Sequence, residues 1–75
     1  MSSLPSLSGQ SVIKAFEAAG FSVVRIASSH HIMKKDGCEF LLAVPVHASK
    51  PVKAGTLRKL IRASGLTVTE FNDLC

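Results

Sequence analysis

A chain of 75 residues has room for one domain, and a hydrophobic content of 47% is too high for a disordered segment. Nine Lys and Arg against five Asp and Glu give a formal charge of +4, a bias towards anionic partners with nucleic acid first, although a solvated basic face produces such a balance about as often. No apolar run approaches the roughly 18 residues of a membrane span, and the opening MSSLPSLSG has neither a charged nor an apolar leader region, so no membrane partner is expected.

The two cysteines, Cys38 and Cys75, are far apart in the chain. That pattern reads as reduced thiols in a cytoplasmic protein rather than as a disulfide framework. No pair of cysteines or histidines has zinc-finger spacing, and adjacent histidines on a strand point to opposite faces. Neither a metal nor any other cofactor is expected.

Residues 1–7 carry three serines and a proline and read as a flexible tail, leaving residues 8–75 as the single domain. Ser8 fits an N-cap. Val12, Ile13, Phe16 and Ala19 follow at helical spacing. Gly20 then suits the left-handed position that stops a helix, with Phe16 and Phe21 as the apolar pair of a Schellman motif. FSVVRIAS reads as a strand, HHIMKK as a second and CEFLLAVPV as a third. Pro45 places the third strand at an edge.

HASKPVKAG reads as a loop and TLRKLIRAS as a helix with Leu57, Leu60 and Ile61 on its apolar side. Gly65 stops it, with Leu66 packing back on Ile61. Thr67 and Glu70 then form a capping box for a short helix from Val68 to about Leu74, stapled by Leu66 and Phe71. The order is α-β-β-β-α plus a short helix, an α+β fold with a three-stranded antiparallel sheet. Both main helices cover one face of that sheet and the other is left open.

The segment SSHHIMKKDG, residues 28–37, holds the chemistry-bearing cluster. Asp36-Gly37 is the strongest two-residue hairpin signal in the chain. A type I′ turn there pairs Lys35 with Cys38, Met33 with Phe40, His31 with Leu42, Lys34 with Glu39 and His30 with Ala43. The face with Met33, Phe40, Leu42, Val44 and Val46 is the more apolar. His30 therefore belongs to the open face and His31 to the covered one, as a core-rim residue whose ring nitrogens find backbone partners. A one-residue slip or a bulge would reverse that assignment. A lone surface histidine is inert more often than catalytic, by roughly four to one.

The segments VIKAFEAAGF, VVRIASSHHIM and VPVHASKPVKAGTLRKLIRASGLTVTEF together resemble the HicA family of bacterial toxins across nearly all of residues 8–74. The resemblance implies a double-stranded-RNA-binding-domain-like fold. It also implies an mRNA interferase, an endoribonuclease that works without a metal and is silenced by a HicB-type antitoxin. The family's essential histidine lies in a Gly-Ser-His motif, whose last two positions match Ser29 and His30; His31 is the less favoured candidate. The Gly-Thr that opens the family's second helix matches Gly55 and Thr56, which adds Thr56 to the RNA-binding set. One position departs from the pattern: Ser28 stands where the family usually has glycine.

RNA cleavage without a metal needs a base for the 2′-OH proton and cations around the phosphate. A histidine, titrating near pH 6.5, can act as base or acid and such transfer contributes roughly 10²–10⁴-fold. The phosphate contacts expected are Lys34, Lys35, Lys50, Lys53, Arg58, Lys59 and Arg62. With no Trp or Tyr and four Phe that all read as structural, recognition by shape and backbone is expected over base stacking. The alternatives are an RNA-binding module of the same fold without activity, and an interaction domain whose basic face docks an acidic partner.

Overall fold

The computed structural model describes residues 4, 6–48 and 50–75. Its elements are α1 (Gly9–Ala18), β1 (Ser22–Ala27), β2 (His30–Lys34), β3 (Leu42–Pro45), α2 (Ala54–Ser64) and α3 (Val68–Asp73). The strands form one antiparallel sheet in the order β1-β2-β3. This is the α+β, double-stranded-RNA-binding-domain-like arrangement expected, with β2 in the centre and β3, which carries Pro45, at an edge.

The helix ends follow their local chemistry. The Ser8 side chain accepts from the Ser11 amide at 3.3 Å. At the other end Phe21 N–H donates to Phe16 O and Gly20 N–H to Glu17 O, both at 3.0 Å. Gly20 takes φ +104°, so the Schellman stop is complete, and the Phe16 and Phe21 rings meet edge-on at 5.7 Å. α2 begins two residues before its expected start. Its C-terminus lacks the direct Schellman bond from Leu66 to Ile61. Instead, Leu66 N–H donates to the Ser64 hydroxyl at 3.2 Å, which donates to Ile61 O at 2.6 Å. The Thr67/Glu70 capping box of α3 is present in both directions.

The core is built from α1 (Val12, Ile13, Phe16), the β2–β3 seam (Met33, Leu42, Val44), α2 (Leu57, Leu60, Ile61) and Phe71 of α3. Phe16 lies at its centre, 5.1 Å from the Phe71 ring. Both main helices pack on β3. β1 is left largely bare on both faces: only Val23 is half-buried, and Val24 and Ile26 are exposed.

The β2–β3 register differs from expectation by two residues: His30 pairs with Pro45, His31 with Val44, Ile32 with Ala43 and Met33 with Leu42. The Asp36-Gly37 turn does form, with Cys38 N–H on Lys35 O at 3.1 Å. Only Gly37 has positive φ, however, which is the sign pattern of type II rather than type I′, and such a turn splays the flanking strands. The third strand therefore starts at Leu42 instead of Cys38. The expected pairs Lys34–Glu39 and Met33–Phe40 do not form, and Phe40, expected in the core, is 62% exposed. An even shift preserves facing, so His30 stays on the open face and His31 on the inner one.

The tail expected over residues 1–7 falls partly on Met1, Ser2, Ser3 and Pro5, outside the described residues. Leu7 itself is held: its carbonyl accepts the Val52 amide at 2.7 Å, Ser8 bridges to Pro51, and Leu4 and Leu7 pack against the core.

Two backbone positions bear on the end of the sheet that carries His30. A Cβ on Gly9 would sit 2.9 Å from the Val46 Cα and closer still to the Pro45 carbonyl oxygen, so only glycine lets α1 approach β3 there. Ser28, in the two-residue β1–β2 turn, takes φ +56° while Ser29 does not take positive φ. That is the sign pattern of a type II′ hairpin, whose first position favours glycine. Gly9→Ala is expected to cost about 1–3 kcal/mol from overpacking, read as a lower midpoint in urea unfolding. Ser28→Gly is expected to raise stability by up to about 1 kcal/mol by relieving the left-handed serine; a lowered midpoint for that variant would contradict the strain.

Candidate functional site

The end of the sheet where β2 begins and β3 ends meets the start of α2 around an open groove of about 590 Å³. Its lining is His30, Ala43, Pro45, His47, Lys50, Pro51, Lys53 and Thr56. His30 opens β2, paired with Ala27 of β1 and Pro45 of β3, and its side chain is exposed on the uncovered face. Lys50 and Lys53 are exposed and Thr56 is half-buried.

The start of α2 contributes electrostatics of its own. Lys53 is its N-cap residue and its side chain makes no capping hydrogen bond. First-turn amides have no partner within a helix, and the helix dipole is positive at this end. A Cβ on Gly55 would meet nothing within 4 Å, so the glycine leaves this turn open to close approach from outside. Two ammonium groups, the Thr56 hydroxyl and a bare helix start thus border a concavity that also holds two imidazoles. Such a site can hold an anion and move protons. Among the described residues, no three His, Cys, Asp or Glu side chains cluster as metal ligands.

The remaining expected residues are distributed elsewhere. Ser29 is half-buried in the β1–β2 turn beside His30, and its carbonyl accepts from Val46 at 2.7 Å. His31 faces inward with Nδ1 buried and no hydrogen-bond partner, contrary to the expectation that its ring nitrogens find backbone groups. The side chains beside it on the sheet are apolar, with Val44 opposite His31 and Ile26 on its other side. Lys34 lies four residues along β2 from His30, about 13 Å away at strand rise, opposite Ser22. Lys35 is engaged by Phe21, its ammonium 5.7 Å from the ring centroid. Arg58, Lys59 and Arg62 are exposed along α2, leading away from the groove.

Two residues escaped the sequence reading. His47 was given no role there, yet it lines the groove with His30. Phe40, expected to be structural, instead lines a shallow, mostly apolar groove of about 280 Å³ with Lys59, Arg62 and Ala63. The signal for His47 was available in its place two residues after Pro45; that for Phe40 was hidden by the register.

No curated protein matches the chain. A family profile described as the HicA toxin of bacterial toxin–antitoxin systems matches residues 9–66, a span from the first residue of α1 through the stop of α2 that contains the whole groove. The chain belongs to the HicA toxin family.

Proposed function

We propose that this chain is an mRNA interferase, an endoribonuclease that needs no metal and uses His30 for proton transfer. The observation that carries this reading is the groove itself, which brings His30 together with Lys50, Lys53, Thr56 and an uncapped helix start. In this reading the lysines and the α2 amides hold the scissile phosphate and its neighbour, and His30 takes the 2′-OH proton. Ser29 positions His30 through the tight turn, and Gly55 admits the RNA backbone. Arg58, Lys59 and Arg62 extend the cationic track along α2, with Lys34 further out on the open face. RNA contacts of this kind are mostly to the backbone, so sequence selectivity is low.

In the same reading the partner is a HicB-type antitoxin that covers the open sheet face and His30, and the site of action is the cytoplasm. Exposed Ala43 and half-buried Ile32 and Pro45 flanking a basic groove suit an acidic or apolar antitoxin surface.

Cleavage of a structured messenger RNA in excess EDTA tests the activity. Wild type is expected to cut; His30→Ala is expected to lose about 10²–10⁴-fold in rate while RNA affinity, measured by filter binding across a salt series, changes little. Binding without cutting by wild type would instead favour the inactive RNA-binding module. For the partner, mapping of diethylpyrocarbonate-modified peptides is expected to show His30 shielded in the antitoxin complex, and equal reactivity free and bound would defeat that placement.

A further inference from the structure

His47 stands just beyond β3, and the backbone fixes it from both sides. Before it, Val46 N–H donates to Ser29 O at 2.7 Å, which carries the β2–β3 ladder past the His30–Pro45 pair. Two residues after Pro45, His47 falls on the face that Pro45 shares with His30. After it, Ala48 adopts φ +50°, a left-handed conformation rare for alanine, and Lys50 N–H donates to His47 O at 2.9 Å. The chain therefore turns directly behind His47 and returns Lys50 to the same groove. Among the described residues, the His30 and His47 side chains have no hydrogen-bond or ion-pair partner, so neither imidazole is committed to the fold.

We propose that His47 is the second catalytic residue, the general acid that protonates the leaving group while His30 acts as base. This rests on the RNA-cleaving reading given above. In the step, neutral His30 takes the proton of the 2′-OH as the O2′–P bond forms. The P–O5′ bond breaks, and the proton of cationic His47 passes to O5′. The products are a 2′,3′-cyclic phosphate on one fragment and a 5′-hydroxyl on the other. The two imidazoles end with protonation states exchanged, and water resets them. A single histidine would have to serve both oxygens, which lie on opposite sides of the phosphorus in an in-line displacement; two imidazoles on one groove meet both.

The test uses the full chain in EDTA with a short RNA and with the same RNA carrying a 5′-bridging phosphorothiolate, whose sulfur departs without a proton. His47→Ala and His47→Gln are expected to slow RNA cleavage by about 10²-fold or more with unchanged RNA affinity, and to recover near wild-type rates on the phosphorothiolate. His30→Ala is expected to be slow on both substrates. For wild type, kcat/KM is expected to fall at both low and high pH, and for His47→Gln only at low pH, because the acid limb has gone. His47 is exposed, so both variants are expected to keep wild-type circular dichroism. Wild-type rates in the His47 variants, or equal slowing on both substrates with the pH profile intact, would overturn the acid role alone. Failure of wild type to cut either substrate would overturn the nuclease reading and this assignment with it.

Discussion

The fit of Gly9 against the backbone of Pro45 and Val46 is the contact on which the geometry of this protein turns. A helix normally keeps its distance from a strand because side chains stand between them. Here the absence of a Cβ at Gly9 lets the first turn of α1 touch the last residues of β3. The neighbours of Gly9 extend the grip: Ser8 bridges to Pro51 and the Leu7 carbonyl holds the Val52 amide. Three consecutive residues thus clamp both the strand end and the returning loop. The burial of Phe16 one face deeper, between Phe21 and Phe71, keeps α1 from withdrawing.

That clamp explains why the polar features gather at one end of the sheet. Between Pro45 and Ala54 the chain has to leave a strand, cross to the N-terminus of α2, and do so on a core too small to bury the crossing. Ala48 in a left-handed conformation and the Lys50-to-His47 bond make the sharp reversal, and among the described residues of this stretch only Val52 is buried. His47, Lys50 and Lys53 in the crossing are exposed, which leaves them free for a ligand. The opposite end of the sheet is used differently. Lys35 is spent on the Phe21 ring, and Cys38 tucks its thiol towards the Ala63 carbonyl at the end of α2.

Much of this was legible from residue types whose conformational demands are local. Gly20, Gly65 and the Thr67/Glu70 pair announce helix boundaries because each satisfies backbone groups within a few residues. His30 on the open face was also legible, since facing depends only on parity along the strand. What the residues around Asp36-Gly37 do not encode locally is the turn type, because Gly37 accepts positive φ in type II as readily as in type I′. The choice is made by the rest of the fold, where the half-buried Cys38 joins the α2 end, and it moved Phe40 from core to surface. For His47 the facing is legible from its place two residues after Pro45, but the fold-back that returns Lys50 beside it is not encoded near the histidine.

β1 is joined to the rest of the protein along one seam. Its inner face is hardly covered by either helix, its outer edge pairs with no strand among the described residues, and a bulge between Val23 and Arg25 interrupts even its pairing with β2. The free energy that keeps it in place is therefore smaller than that of the α1–β3–α2 body, and it opens first when the structure fluctuates. His30 sits where that ribbon joins the body, with Ala27 on one side and Pro45 on the other. His30 is thus held from two sides, by the α1–β3–α2 body through Pro45 and by the β1 ribbon through Ala27. The left-handed Ser28 turn lies directly before His30, so a two-residue connection outside the core contributes to how the site is held.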